Sequence, residues 1–349
     1  MSSWLIMTDK VIQRYFLLLF GISLSLGVYR FLFPFHIINV GGNDSLISLA
    51  SAIFAFGQIV SFLLLCKVVN TNSYRFLMGG ISIIVVTGTM SFLLDPNLLS
   101  LIRFFDGLGY GFIFLGIIAL ASNFKKREGE VLGNLFAAVL SGSALGQGVA
   151  GIVWEILSNS GMPDIQAIQL ISATMTIFGL FLVTILHLKR IEEEKTENQP
   201  SNGWKWQHFH IRKGLQIFMI PSIFLLVLIY LFYDFAHGIY TPNLSILLNQ
   251  GGISAVAVSL GYLVGDITWG ISQLFTGRLV DKIGSFAPLI FSLLIKGIVV
   301  FFYPEISILL FLFVILFLAG LAEGFLEPAR NKAVLEIETA QGYSHSQAQ

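Results

Sequence analysis

Ten stretches of about twenty apolar residues follow one another along this chain, separated by short charged or turn-forming breaks. A helix of ~20 apolar residues is long enough to cross the ~30 Å hydrocarbon core of a bilayer. With 55% hydrophobic and 11% charged residues, the 349-residue chain is too apolar for the two soluble domains that its length alone would suggest. The 32 Phe and 34 Gly residues favour helices packed in lipid over the alternating strands of a barrel.

The predicted spans end at charged residues, prolines or turn residues, and their edges are good to a few residues. They cover residues 15–35, 46–66, 76–94, 99–121, 131–157, 168–188, 215–240, 253–275, 286–303 and 306–326. We therefore expect an all-α membrane protein, a helical bundle of about ten transmembrane helices.

Outside the spans, the basic residues lie at the termini and in alternate connections, while the other connections contain none. Those other connections carry Asp44, Asp95, Asp164 and Glu305 instead. Because basic loops resist translocation, the basic side is predicted to face the cytoplasm, together with both chain termini. The chain is thus expected to be a multi-pass protein of the cell membrane, plasma or inner.

A charged segment after the sixth span, with three consecutive glutamates at 192–194, divides the spans into six and four. We predict four regions on this basis. They are an N-terminal six-helix bundle at 1–190, a cytoplasmic linker at 191–212, a C-terminal four-helix bundle that is an incomplete half at 213–327, and a polar cytoplasmic tail at 328–349.

The two parts of the chain repeat each other at nearly constant spacing. The pair Gly41-Gly42 precedes the second span and Gly251-Gly252 the eighth, an offset of 210. Residues 66–75 and 277–286, which follow those spans, are shifted by 211, and two glycines of the fourth span match two of the tenth with a shift of 213. Duplicated halves are common in transporters, whose halves move about a central site.

One motif after the eighth span resembles the Gly-x-Leu-x-Asp-x-x-Gly-x-Arg loop of the major facilitator superfamily. Its matching residues are Gly277, Leu279, Asp281 and Gly284, with Phe286 in place of the final Arg. The first-half copy keeps only the basic ends, Lys67 and Arg75. The resemblance implies two pseudo-symmetric helical halves and a cytoplasmic gating loop formed by Gly277, Arg278, Asp281 and Gly284.

Two further patterns are similar to the same family. Arg103 begins a fourth-span pattern of the form Arg-x-x-Gln-Gly-x-Gly, in which Asp106 replaces the Gln. Gly142, Gly146 and Gly151 are similar to the fifth-span glycine signature of proton-driven antiporters, but small residues at this spacing can equally serve close helix packing alone. A complete second half would extend to about residue 400, so two spans of the family pattern are missing and a non-transporting remnant is an alternative.

Ionisable residues inside spans are costly, at ~2.5–3.5 kcal/mol each, and are therefore candidates for function. The candidates for a substrate or ion pathway are Arg30, Arg103, Asp106, Asp234, His237, Asp266 and Glu323. By resemblance, the first, fourth, seventh and tenth spans line a central cavity. Lys296 also lies in a span, and the sequence gives no role for it.

The candidates include two pairs whose members are three residues apart, and the members of each pair therefore share a helix face. Asp234 and His237 could share a proton, which makes them our expected coupling pair. Arg103 and Asp106 can form an ion pair that either takes part in proton transfer, as the resemblance implies, or is purely structural. Arg30 could reach the outer interface or bind an anionic group of a substrate.

These features together predict a secondary active transporter that moves a small organic solute by alternating access, coupled to protons, with efflux as one possible direction. Its expected partners are that solute, protons and the lipid bilayer, while the oligomeric state is not indicated. Balanced charge argues against nucleic acid, and the absence of metal-ligand and nucleotide-binding motifs argues against a metal or cofactor. An intramembrane aspartyl protease built on Asp234 and Asp266 is a weaker alternative, so we expect no enzyme.

Overall fold

In a computed structural model, residues 10–65, 73–89, 95–122, 128–194 and 221–340 are described. These ranges contain ten α-helices and a short 3-10 turn at Tyr303–Glu305. The helices are α1 Lys10–Asn39, α2 Asp44–Leu65, α3 Ser73–Thr89, α4 Pro96–Ser122, α5 Glu128–Asn159, α6 Asp164–Glu194, α7 Pro221–Gln250, α8 Ala255–Ile283, α9 Phe286–Phe302 and α10 Leu309–Ala340. The predicted all-α bundle is confirmed, with one helix for each predicted span.

Eight of the ten helices in the described part are long and apolar enough to cross a membrane, judged by length and composition. They are α1, α2, α4, α5, α6, α8, α9 and α10. The apolar part of α3 is shorter, from Phe76 to Gly88, and at ~1.5 Å per residue it covers only about 20 Å. Helix α7 has 30 residues, which is sufficient length, although several of its side chains lie outside the described set.

Several helices continue past the ends of the predicted spans. Helix α6 runs to Glu194, α8 to Ile283 and α10 to Ala340, through Pro328. The reason is that apolar composition marks the part of a helix in lipid, whereas Glu, Lys and Arg support helix equally well in water. The first part of the predicted tail is therefore helical, and the predicted linker lies outside the described residues from 195 onward.

The chain divides into two compact units at residue 208. In the first unit, α1 packs along α5 and also contacts α6, while α2 and α3 pack against α4. Its core is formed by aliphatic side chains from α1, α3, α4 and α5, including Leu19, Ile22, Leu77, Ile117 and Leu135. The finer predicted boundaries at 190, 213 and 327 stay a prediction.

The fifth-span glycines serve the contact between α1 and α5. A Cβ at Gly142 would overlap the carbonyl oxygen of Phe20, and a Cβ at Gly146 would overlap that of Leu24. Only glycine allows the two backbones to approach so closely, as at small-residue interfaces between membrane helices. The structure therefore accounts for both glycines by packing.

In the second unit, α8 and α9 both pack along α10, and α7 contacts α8 and α10 lightly. A smaller apolar core joins these helices. Its residues are Leu226, Val280, Leu289, Leu326, Ala329 and Ala333.

The internal repeat is visible in side-chain packing. In the first unit a Cβ at Gly111 of α4 would overlap the hydroxyl of Ser61 on α2, and in the second unit a Cβ at Gly324 of α10 would overlap that of Ser272 on α8. Each serine hydroxyl also lies near a carbonyl of its own helix, that of Gln58 at 2.7 Å for Ser61 and those of Thr268 and Trp269 at 2.7 and 3.0 Å for Ser272. The same glycine-to-serine contact therefore joins the second and fourth helices of both units.

The turns after α1 and α7 also repeat, at an offset of 211. Gly41 and Gly252 have φ of +87° and +88°, and in each turn their N–H bonds the carbonyl three residues back at 3.0 Å. The next N–H, of Gly42 and Ile253, bonds the carbonyl five residues back at 2.8 and 3.0 Å. This is the glycine-terminated helix cap, which needs positive φ. Gly41 is thus equivalent to Gly252, which corrects the offset of 210 inferred from the glycine pairs.

Candidate functional site

A buried ion pair lies in the middle of α4. Nη1 of Arg103 is 2.8 Å from Oδ2 of Asp106, and the two residues are only 9% and 3% exposed. The spacing of three residues places both side chains on one face of the helix. The pairing predicted from the sequence is therefore present, and each charge lowers the cost of burying the other.

Thr87 of α3 also hydrogen-bonds this carboxylate. Its hydroxyl contacts Oδ1 of Asp106 and is also 3.0 Å from the carbonyl oxygen of Ile84. A hydroxyl has one proton and two lone pairs, so it can donate in only one of these contacts at a time. When Asp106 is ionised, Thr87 donates to it. When Asp106 is protonated, it donates to Thr87, and Thr87 in turn donates to the carbonyl of Ile84. The arrangement therefore accommodates both protonation states of the carboxyl.

Aromatic rings surround the guanidinium of Arg103. Its Cζ lies 4.5 Å from the ring centroid of Phe54, 4.8 Å from that of Phe33 and 5.8 Å from that of Tyr29. Ring faces attract cations within about 6 Å, so the rings contribute to holding this charge in an apolar setting. Nε of Arg103 has no hydrogen-bond acceptor among the described residues.

A second buried charged cluster joins three helices of the second unit. Nζ of Lys296 on α9 lies 2.5 Å from Oε1 of Glu323 on α10. The hydroxyl of Tyr233 on α7 donates to the same oxygen, and Nζ lies 5.9 Å from the Tyr233 ring centroid. Lys296, whose role could not be predicted from the sequence, is thus the charge partner of Glu323. Opposite charges in adjacent spans were the one sequence signal for this pair.

The two clusters use corresponding helices of the repeat. The first lies on α1, α3 and α4, with Phe54 of α2 next to its guanidinium. The second lies on α7, α9 and α10, the equivalent first, third and fourth helices of the second unit. Each combines a carboxylate, a cation and a hydroxyl that contacts the carboxylate, from Thr87 in the first cluster and from Tyr233 in the second. They differ in where the cation lies, since Arg103 shares a helix with Asp106 whereas Lys296 and Glu323 are on different helices.

The remaining candidates are not brought together by the described contacts. Arg30 is exposed on α1, next to the buried Tyr29, and Asp266 is half-buried on α8. Asp234 and His237 are on α7 as expected, but their side chains lie outside the described residues, so their pairing stays a prediction.

The predicted gating loop is largely helical. Gly277, Arg278 and Asp281 belong to the last turns of α8, which ends at Ile283, and the side chains of Arg278 and Asp281 lie outside the described residues. Gly284 ends the helix with φ +82°, its N–H bonded to the carbonyl of Val280 at 3.0 Å. Most of this motif is therefore the end of α8, because Leu, Val, Asp and Lys continue the helix until glycine permits the turn, and its gating role stays a prediction.

Ser285, which follows Gly284, hydrogen-bonds this turn to α10. The hydroxyl of Ser285 donates to a carboxylate oxygen of Glu336, in the extension of α10, at 2.5 Å. Within the described ranges, no group of three or more His, Cys, Asp or Glu side chains could hold a metal ion.

Comparisons with known proteins agree with this fold. The sequence profile of the Major Facilitator Superfamily matches residues 15–337. The solved structure of a bacterial homolog to the human lysosomal transporter Spinster, in an inward-facing and occupied conformation, is 14% identical with a TM-score of 0.64, covering 94% of this chain and 77% of that one. A D-xylose–proton symporter is 16% identical with a TM-score of 0.62, covering 95% and 86%. A comparison with curated protein sequences finds no match.

Proposed function

This chain belongs to the major facilitator superfamily, and from that membership we propose that it carries a small organic solute across the membrane by alternating access, coupled to protons. It is a multi-pass membrane transporter rather than an enzyme, so the aspartyl protease alternative falls. The solute, the coupling ion and the direction of transport are part of the proposal.

The observation that carries proton coupling is the contact between Thr87 and Asp106. Asp106 accepts from Thr87 when ionised and donates to it when protonated, while Ile84 provides the acceptor that Thr87 then needs. A carboxyl that keeps its hydrogen bonds in both states can take up and release a proton without leaving a buried polar group unpaired. Protonation of Asp106 would weaken its electrostatic attraction to Arg103, while Oδ2 could still accept the hydrogen bond from Nη1.

The second cluster supports a similar role for Glu323. This carboxylate is held by Lys296 and Tyr233, and protonating it would weaken the attraction to the ammonium. The sequence-predicted pair Asp234 and His237 lies on the same helix as Tyr233 and remains part of the proposed proton pathway, together with Asp266.

The surroundings of Arg103 favour an amphiphilic or zwitterionic solute. They combine a guanidinium with the faces of Phe33, Phe54 and Tyr29, and a site of this composition can bind a charged group and an apolar body together. One structural relative is by its name a D-xylose–proton symporter, so sugars belong in any screen. Arg30 is proposed to contact an anionic group of the solute or the outer interface.

We further propose a cell-membrane location, plasma or inner, with both termini in the cytoplasm, since the basic connections all fall on one side. The helix end containing Gly277, Arg278, Asp281 and Gly284 would then be a cytoplasmic gate.

The test is proton movement in liposomes that contain the purified protein and a pH-sensitive dye. Amino acids, sugars and amphiphilic amines are added in turn, and at least one is expected to change the lumenal pH only when the protein is present. Asp106→Asn should abolish this pH change, whereas Ser82→Ala, a change at an exposed hydroxyl on α3, should preserve it. Solute transport without any pH change would overturn proton coupling, and an unchanged signal in Asp106→Asn would overturn the role of Asp106.

A further inference from the structure

A small cavity lies in the first unit, between α1, α3, α4 and α6. Its volume is about 30 Å³, and its polar lining residues are Ser25, Tyr29, Asp106, Ser172 and Thr176. This volume is the space open to the centre of a water-sized sphere. One water molecule needs ~10–15 Å³ of it, so the cavity accommodates about two water molecules. It also needs polar partners, which decide whether such a cavity is hydrated or dry.

Two buried hydroxyls on the wall of this cavity need a partner. The Tyr29 hydroxyl on α1 and the Ser172 hydroxyl on α6 have no hydrogen-bond partner among the described residues, although these residues are only 8% and 3% exposed. Buried hydroxyls in folded proteins are almost always hydrogen-bonded, to protein or to ordered water. Both groups can donate one hydrogen bond and accept others.

Acceptors are available on the same wall. Each oxygen of Asp106 has two lone pairs, and Arg103 and Thr87 each use one. The hydroxyls of Ser25 and Thr176 donate to the carbonyls of Met175 and Ser172 at 3.1 and 2.8 Å, which leaves their oxygens able to accept. The cavity therefore offers both donors and acceptors, as a bound water molecule requires.

We propose that this cavity holds about two ordered water molecules that link Tyr29 and Ser172 to the carboxylate of Asp106. The water gives Asp106 a route for proton exchange through the interior of the first unit, separate from its contact with Arg103. Among the described residues that line the cavity or contact this carboxylate, the ionisable ones are Arg103 on its own helix and Tyr29 on α1, while those of α3 and α6 that carry a polar group have uncharged hydroxyls. The water site stands on the cavity alone, whereas the proton route rests on the proposed function.

Hydroxyl-radical labelling by synchrotron radiolysis, read by mass spectrometry, tests for the water directly. Radicals formed from bound water oxidise adjacent side chains even when bulk solvent cannot reach them, and Tyr29 and Met175 both line the cavity. We expect Tyr29 to be labelled several-fold faster than Tyr303, which is equally buried at 6% but belongs to the second unit. Equal labelling of the two tyrosines would overturn the proposal.

A matched pair of glycine variants sharpens the result. A Cβ at Gly179 would point into this region at ordinary contact distances, 3.6 Å from Val85 Cγ2 and 3.7 Å from Ser25 Oγ, so Gly179→Ala should fill space without a clash. A Cβ at Gly133 meets nothing within 4 Å, which makes Gly133→Ala the control. Labelling of Tyr29 and Met175 should fall several-fold in Gly179→Ala and stay at the wild-type level in Gly133→Ala. Unchanged labelling in both variants would contradict the site, and because no solute is involved, that failure is distinct from a failure of transport.

Discussion

The ammonium of Lys296 lies 2.5 Å from Oε1 of Glu323, and the two side chains are 7% and 14% exposed. They sit on neighbouring helices of the second unit, so the pair ties α9 to α10. Beside it, the hydroxyl of Ser292 donates to the carbonyl of Ala322 at 2.8 Å. A lysine that has no role by sequence alone thus becomes the counter-charge of a candidate pathway carboxylate.

Removing Lys296 should destabilise the protein more than removing both members of the pair. Lys296→Met leaves the buried Glu323 carboxylate without its cation, and breaking a buried pair in this way costs about 3–5 kcal/mol. The double variant Lys296→Met/Glu323→Gln leaves no unpaired charge and should recover most of the lost Tm. Thermal unfolding in detergent measures both, with Lys282→Met at an exposed position as the control. A double variant no more stable than the single one would contradict the pairing.

The repeated glycine-to-serine contact predicts that replacing the glycine by alanine lowers stability to a similar extent in the two units. Gly111→Ala and Gly324→Ala each force a methyl onto a serine hydroxyl of the facing helix, and overpacking of this kind costs about 1–3 kcal/mol. Gly133→Ala and Gly270→Ala, whose added Cβ atoms meet nothing within 4 Å, should be close to neutral. Tm values of the four variants provide the comparison. If Gly111→Ala and Gly324→Ala had the same Tm as the two control variants, the close approach of these helices would be contradicted.

Arg103 is expected to tolerate lysine only in part. Arg103→Lys keeps a charge for Asp106 but loses the flat guanidinium that lies near Phe33 and Phe54. Arg103→Gln also leaves the carboxylate without a cation. We predict that Tm falls in the order wild type, Arg103→Lys, Arg103→Gln, as measured by unfolding in detergent. A lysine variant as stable as wild type would show that the ring contacts contribute nothing measurable.

The bond from Ser285 to Glu336 predicts a local effect on exchange. Ser285→Ala removes the link between the turn after α8 and the extension of α10. Backbone amides of residues 284–287 and of Leu289 should exchange with deuterium several-fold faster, because a local opening there loses less hydrogen bonding. Ser82→Ala, which changes an exposed hydroxyl in the other unit, serves as the control in the same mass-spectrometric experiment. Unaltered exchange in Ser285→Ala would mean that the turn is held by its backbone alone.

The order of helices could be predicted from the sequence because hydropathy is a local signal. The spacing of Arg103 and Asp106 was enough to predict their pair, since residues three apart on a helix always share a face. The helix ends were harder to predict, because α6, α8 and α10 continue into charged sequence where hydropathy gives no information.

The contacts between helices could not be predicted in the same way. Thr87 reaches Asp106, and Lys296 reaches Glu323, only because of the rotation and register of packed helices. These depend on interlocking surfaces such as the glycine contacts of α2 with α4. Tyr29 and Ser172 are uncharged, so the sequence does not mark them as candidate site residues, and they are recognised only because they line the cavity.

The central claim is that the protein is a carrier whose solute site opens to one side of the membrane at a time. Trans-stimulation tests it most directly, using liposomes and any solute that gives a signal in the screen. We predict that labelled solute enters several-fold faster when the lumen is preloaded with unlabelled solute, because an occupied carrier returns more readily than an empty one. Entry at the same rate with and without preloading, together with no saturation as external solute increases, would contradict alternating access.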